Sequence, residues 1–382
     1  MILFTNPFLF IRLWLYLHMK YILLLLIPVL LILSSCDRKR NKESENSTSE
    51  NDTLTKLKDD TITIIGVGDI MMGTTYPFSD LPPNDGKDLY NDVKDILRKA
   101  DITMGNLEGP FLNSGGTPKE CETPERCYSF RMPERYAEYL NDAGFDYMNL
   151  ANNHAFDMGT KGRETTYSVL DNNEILYAGT TDYPTVIKEV KGLKIGFAGF
   201  APNRGTININ DEKLVEKTIK ELKSECDILV VMFHGGAEGA GAQNIPMKNE
   251  IFLGENRGDV YDFAHRVIDN GADVVLGHGP HVTRAVEIYK GKFIAYSLGN
   301  FCTYGKFSLA GVQGIAPIIK VFLTQKGDFI KSEITSIKQV RRGFPTIDEN
   351  ETALKTIIRL TEKDFGKNAV TFDGNIVTNS NK

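Results

Sequence analysis

The chain has 382 residues, with 44 Lys and Arg against 50 Asp and Glu and a formal net charge of −6. That balance argues against nucleic acid as a partner, which would need a basic face. An apolar share of 41% is ordinary for a globular protein, so most of the chain can bury a core.

The first residues are read as an address rather than as fold. An apolar run from Tyr21 to Leu33 follows Met19-Lys20 and ends at Leu33-Ser34-Ser35-Cys36. A charged start, a short apolar stretch and a small-residue cleavage site describe a secretory signal. LSSC resembles the bacterial lipobox, in which the Cys, here Cys36, is lipidated. Met19 is the better start, because residues 1–18 add apolar bulk the signal does not need. The alternative is a transmembrane anchor from about Leu13 to Leu33, long enough to span. Either way the expected location is extracytoplasmic, in a bacterial cell envelope. The expected organisation is a lipoprotein signal over 1–36, a disordered tether over 37–60, one folded domain over 61–345, and a C-terminal helix and tail over 346–382. The tether is charged, rich in Ser and Asn and free of aromatics, so it cannot bury enough apolar surface to fold.

From there the pattern alternates. Ile62–Val67 predicts a buried strand, Asp88–Lys99 a helix and Asp101–Gly105 a strand. Pro133 to Ala143 predicts a helix with Pro in its first turn, followed by a strand at Phe145–Leu150 and a helix at Gly162–Asn172. A strand at Leu193–Phe200, a helix at Asp211–Ser224 and a strand at Ile228–Phe233 come next. Gly258–Asn270 reads as a helix stopped by Gly271, and Asp273–Leu276 as a strand. The pattern then changes to a hairpin, Ala285–Tyr289 and Lys292–Ser297 across a Lys290-Gly291 turn. Ile315–Leu323 and Lys331–Val340 continue the strands, and a last helix falls near Glu351–Lys363. Alternating units followed by hairpins predict two packed sheets with helices outside, an α/β architecture with a strand-rich C-terminal half.

Four of the six histidines sit in Gly/Asn-rich patches directly after apolar strands. They are His154 in NLANNHAFDMG, His234 in ILVVMFHGGAE, and His278 and His281 in DVVLGHGPH. Asp69 in ITIIGVGDIMMG and Glu108 in ITMGNLEGP have the same setting. In an α/β sheet, ligands bind outside the strand ends, so these residues predict a metal-centred site with one or two ions. Asn153 beside His154 adds a polar group on a tight bend, and Asp157, three residues on, is placed to orient His154 through its other ring nitrogen. Glu238, behind His234, is a weaker candidate. Each has a bland reading: Asp69 as a cap or turn residue, Glu108 as a solvated loop acid, His234 as core. Gly66-Val67-Gly68-Asp69 misses the G-x-G-x-x-G spacing, and no G-x-S-x-G elbow or P-loop is present.

Cys121 and Cys127 flank a short loop, and an exported chain can keep a disulfide there. Cys226 and Cys302 read as small buried filler. No Cys-x-x-Cys pair exists.

GDIMMG, GNLEGP, FRMPERYAEYLNDAGFDYMNLANNHAFDMG, the His234 patch, GHGPHV and IAYSLGNF, in that order from about Ile64 to Phe301, resemble the successive motifs of the capsule synthesis CapA-type proteins. That family is associated with making or exporting poly-γ-glutamate, and is similar in fold to the calcineurin-like metallophosphatases, a double β-sandwich flanked by helices (α/β/β/α). The resemblance implies metal ligation by Asp69, Glu108, Asn153, His234, His278 and His281, with Glu108 in place of the bridging carboxylate. It implies that His154 protonates a leaving group. The mixed N/O set suits Mn, Zn or Fe better than Ca. Implied partners are an anionic polymer such as poly-γ-glutamate, the membrane through a lipid anchor, and a capsule synthesis membrane complex. An active metal-dependent hydrolase of phosphoester or amide-type polymer linkages is the alternative. The sequence departs from the pattern at Met71, where the phosphatases carry His. Gly235 stands where the family usually has Trp, and Gly279 where it often has His; the loss of a large side chain beside His234 is expected to open the site.

Overall fold

The computed structural model describes residues 61–120, 128–367 and 369–380. β1 (Thr61–Met71) is the axis of the larger, ten-stranded sheet. Parallel neighbours β2 (Ile102–Leu107), β3 (Tyr147–Asn149) and β4 (Leu176–Ala178) extend it on one side. The smaller, six-stranded sheet contains β5 (Thr185–Val190), β6 (Leu193–Phe200), β7 (Ile228–His234), β10 (Val274–His278), β11 (Val286–Tyr289) and β12 (Lys292–Ala295). Between β7 and β10 a separate ribbon is formed by β8 (Glu250–Phe252) and β9 (Glu255–Gly258). The chain then returns to the larger sheet. β13 (Asn300–Thr303) lies parallel to β1, β14 (Ile315–Thr324) antiparallel to it, and β15 (Phe329–Val340) and β16 (Phe344–Ile347) follow.

The period of two along each strand sorts the apolar residues into layers. Ile62 and Ile64 of β1, with Ile228, Val230 and Met232 of β7, pack between the sheets. Ile65, Val67 and Ile70 point the other way, toward α1 (Lys94–Leu97), α2 (Ala137–Ala143) and α3 (Gly159–Asn172), which supply Leu97, Leu140 and Leu170. Leu229, Val231 and Phe233 meet α4 (Glu212–Lys223) and α5 (Val260–Asp269). The layers are therefore α/β/β/α. In α4 the buried residues Val215, Ile219 and Leu222 recur at helical spacing. Each apolar side chain so buried contributes about 1.5–3 kcal/mol. The Asp211 carboxylate accepts from Leu214 N at 3.1 Å, which caps the helix start. α6 (Thr352–Phe365) reaches into two layers, through Leu354 and Ile357 and through Leu360.

The helix predicted over Asp88–Lys99 contracts to α1. Val93 before it holds a non-helical φ of −126°, and no side chain caps the start, so the preceding residues stay in turns. The tail after α6 folds: β17 (Thr371–Asp373) and β18 (Ile376–Thr378) form a hairpin, and β18 pairs with β15. Among the described residues no helix is long and apolar enough to cross a membrane. Cys36 and the tether lie outside the described residues, as do Cys121 and Cys127; Cys226 and Cys302 are free and buried.

Candidate metal centre

The carboxyl ends of parallel strands from both sheets meet at one edge. β1 carries Asp69, β2 carries Asn106, and the turns after β2 and β3 carry Glu108 and Asn152 to His154. β7 and β10 end on His234 and His278, which stand in register across the smaller sheet. Close approach of β1 to the segment before β13 depends on Gly68: a Cβ there would lie 1.9 Å from the Gly299 carbonyl. That same carbonyl accepts from Asp69 N at 2.8 Å, so the carboxylate is set by backbone.

His281 Nδ1 lies 2.9 Å from Asp69 Oδ2 and 3.1 Å from Asn300 Oδ1. His234 Nε2 stands 2.8 Å from Glu108 Oε1. Glu108, His234 and His281 each offer a ligand atom, and those atoms lie within 4.8 Å of one another. His278 Nε2 is 3.1 Å from the Val67 carbonyl, a bond that requires the proton on Nε2 and leaves Nδ1 as a lone-pair donor.

Several buried atoms have no hydrogen-bond partner: Glu108 Oε2, Asn153 Oδ1, both ring nitrogens of His234, and His278 Nδ1. The short approach of His234 to Glu108 is thus not a hydrogen bond. An orphaned buried polar atom costs about 1–3 kcal/mol. A divalent cation could take one ligand atom each from Glu108, His234 and His281, which lie within reach of one another, and so satisfy buried donors that lack a partner on Glu108 and His234; the residues present fit such an ion.

The charges are equally tense. Glu108 is pushed up to about 7, by burial first and then by the Asp69 carboxylate, against the pull of His281 and His154. Burial drives His234 down to about 3, with Asp69 opposing it. Burial would also depress His281, but Glu108 and the Asp69 hydrogen bond overcome it and raise the ring to about 10. For Asp69 burial works upward, and the His281 hydrogen bond and charge win, holding it below the usual carboxylate value.

Beside this cluster, His154 Nδ1 lies 2.8 Å from Asp157 Oδ2. Asp157 is fully buried; it also accepts from Phe130 N at 2.6 Å and pairs with Lys119 Nζ at 2.7 Å. Lys119 Nζ donates to the Asn153 carbonyl at 2.9 Å. The imidazole packs on Phe130 at 4.4 Å between ring centroids, and Phe130 in turn on Phe307 at 5.5 Å. Phe307 then meets the His281 ring at 5.1 Å.

The structure thus brings Asp69, Glu108, His234 and His281 into contact, with His278 in register beside His234. Asn153 Oδ1 is buried, and His154 forms a pair with the buried Asp157 beside the cluster. Met71 joins the core on the helix side of the larger sheet. One expectation is corrected. Gly235 does not open the site: a Cβ there would meet the Arg257 carbonyl at 2.9 Å, with Ile209 and Val260 just beyond. Gly279, at φ +112°, would bring a Cβ to 2.7 Å from the Gly235 carbonyl. The two glycines stand back to back, so backbone fills the space that large side chains would take.

Residues 63–304 match the family described as bacterial capsule synthesis protein PGA_cap. The chain belongs to this family. It is 29% identical over 332 residues to the PGA biosynthesis protein CapA of Bacillus subtilis, covering 82% of this chain and 81% of that one. It is 28% identical over 264 residues to the capsule biosynthesis protein CapA of Bacillus anthracis, covering 64% of this chain and 60% of that one. Among solved structures it resembles the calcineurin-like phosphoesterase YfkN from Bacillus subtilis, at 14% identity and a TM-score of 0.42, over 80% of this chain and 97% of that one.

Asn153 was legible in the sequence, but Asn106 and Asn300 were not. Asn106 Nδ2 donates to Asp69 Oδ1 and to Glu108 Oε1, both at 2.9 Å, while its Oδ1 accepts from Asn149 and Asn152 at 3.0 Å each. Asn300, opposite Asp69 in register, holds His281 from both sides, through Nδ1 and the backbone carbonyl. The available signal was Asn placed at strand positions, where it is otherwise disfavoured.

Proposed function

We propose that this protein is a membrane-anchored member of its family that serves synthesis or export of poly-γ-glutamate or a similar anionic capsule polymer, using a divalent ion at the strand-end site as a carboxylate grip. The observation that carries the metal part is the set of buried, unpartnered donor atoms on Glu108, Asn153, His234 and His278. The names of the two CapA relatives support the polymer part. Asp69, Glu108, Asn153, His234, His278 and His281 would hold Mn, Zn or Fe, and the bound ion would supply Lewis-acid attraction for an anionic oxygen. Asn106 keeps the two acids apart and oriented. Gly68 and Gly299 set the depth at which Asp69 enters.

The test is binding. Purified protein loaded with Mn²⁺ should retain poly-γ-glutamate, and chelation should abolish retention. Retention unchanged by chelator refutes the grip. The anchor is tested separately: Cys36→Ala should release the protein from membranes or leave it unprocessed, and unchanged processing and fractionation refutes lipidation.

A second reading, hydrolysis of a phosphoester or amide-type polymer linkage, is favoured by the His154–Asp157 pair. Asp157 accepting from Nδ1–H would fix the tautomer and leave Nε2 to carry or deliver a proton. Under this reading His154→Ala abolishes hydrolysis but spares metal binding. Absence of hydrolysis of phosphodiester or γ-glutamyl substrates with added Mn²⁺ or Zn²⁺ refutes it.

A further inference from the structure

The loop after His234 carries a carboxylate that the ligand set above does not use. His281 Nδ1 is taken by Asp69 and Asn300, which turns Nε2 to the other side of the ring. There Glu108 Oε2 lies 3.9 Å away and Glu238 Oε2 4.0 Å away. Two donors each about 2.1 Å from one ion are roughly 3.0 Å apart at a right angle, 3.4 Å at the tetrahedral angle and 4.2 Å when opposite. Both separations from His281 fall inside that range, while Glu238 stands outside the trio of Glu108, His234 and His281 whose ligand atoms all lie within 4.8 Å of one another.

Glu238 is also held as a ligand would be. Its Oε1 accepts from Arg257 Nη2 at 2.7 Å, and the Arg257 side chain is only 5% exposed. The Arg257 carbonyl accepts from Gly236 N at 2.9 Å. Both neighbours of Glu238 are pinned: Ala237 N donates to Glu250 Oε2 at 2.9 Å, and Gly239 N to the Pro280 carbonyl at 2.9 Å, in the turn that carries His281. Glu250 is itself clamped by the buried Arg284 through two bonds of 2.8 Å. A carboxylate with one oxygen fixed by a buried cation and the other facing an imidazole nitrogen is oriented from behind, as supporting groups orient metal ligands.

We infer that Glu238 is a ligand of the divalent ion held by Glu108 and His281. The inference rests on the metal reading given above and adds to it the oxygen donor from this loop.

The experiment is Mn²⁺ titration calorimetry on the full chain, with wild type, Glu238→Gln, Glu238→Asp and Glu255→Gln. Glu238→Gln keeps an oxygen to accept from Arg257 but loses the anionic donor. Glu238→Asp keeps the charge and withdraws the oxygen by one methylene. Both should weaken Mn²⁺ binding by at least about tenfold. Glu255 pairs with the same arginine at 3.0 Å but is 58% exposed, so Glu255→Gln should stay within about twofold of wild type because an exposed charge is screened. Unfolding of the metal-free proteins should coincide. Wild-type affinity in Glu238→Gln or Glu238→Asp overturns the inference alone, as does an equal loss in Glu255→Gln. A wild-type chain that binds no Mn²⁺ overturns it together with the metal reading.

Discussion

Asn106→Asp replaces one NH₂ group by an oxygen and changes almost no volume, yet it should be among the most damaging single changes in the site. Asn106 is fully buried, and its amide makes four bonds. Two go to acids, Asp69 and Glu108, each at 2.9 Å. A hydrogen bond to a charged group contributes about 1.5–3 kcal/mol, so losing the pair costs about 3–6 kcal/mol. The new oxygen also faces two carboxylates, and like charges at that distance force one group to keep a proton. The folded state then holds a carboxyl whose pKa is raised above its unfolded value. Its penalty is complete above the folded pKa and shrinks as pH falls through it. The assay is urea unfolding with chelator, at pH 7.5 and at pH 5. The expected deficit at pH 7.5 is a large part of the 5–15 kcal/mol available to a typical domain, and it should narrow at pH 5. Saturating Mn²⁺ should stabilise both proteins, since an ion bound only by the folded state stabilises that state, and it should narrow the deficit only as far as the third carboxylate tightens binding. A deficit below about 1 kcal/mol at pH 7.5 would refute the argument that the amide holds the two acids apart.

A combined His234→Ala and His278→Ala change should strip metal while leaving the far-ultraviolet circular dichroism native, because both residues end strands whose cores are built by other side chains; metal content equal to wild type would contradict this. Arg284→Met breaks a buried bidentate pair with Glu250, leaves that acid unpaired, and should cost about 3–5 kcal/mol in chemical unfolding. Asp101 accepts from Thr63 N and Oγ1 at 2.8 Å and pairs with Lys191; burial raises its pKa, but Lys191 and Thr63 outweigh that and hold it low. Its stabilisation is present above the unfolded value of about 3.9 and is lost as pH falls through the lower folded pKa, so Asp101→Asn should be less stable than wild type at pH 7 and converge with it in acid. A stability gap independent of pH would exclude the charge as its cause.

What the chain determined by itself is the layering and the address of the site. Runs such as Ile228 to Phe233 and Ile64 to Val67 are buried on both faces, so their apolar continuity was enough to mark strands, and Gly and Asn after them marked strand ends. The motifs GDIMMG, GNLEGP, ANNH and GHGPH fall at those ends because binding residues collect where parallel strands stop. Local signals failed where the deciding contact was remote. Asp88–Lys99 has helical spacing but no cap, so only one short turn of helix survives. The tail strand Ile376–Thr378 exists because β15 offers an open edge, a fact of the sheet and not of the tail. Asn106 and Asn300 gain meaning only when β1 runs between β2 and β13 and the asparagines meet Asp69 across it. The role of Gly235 likewise belongs to the fold: its missing side chain suggested space, while the Arg257 carbonyl and Gly279 occupy that space. Periodicity and residue type act over a few neighbours, whereas hydrogen-bond satisfaction and backbone packing are settled between segments far apart in the chain, and only the assembled sheets bring those segments together.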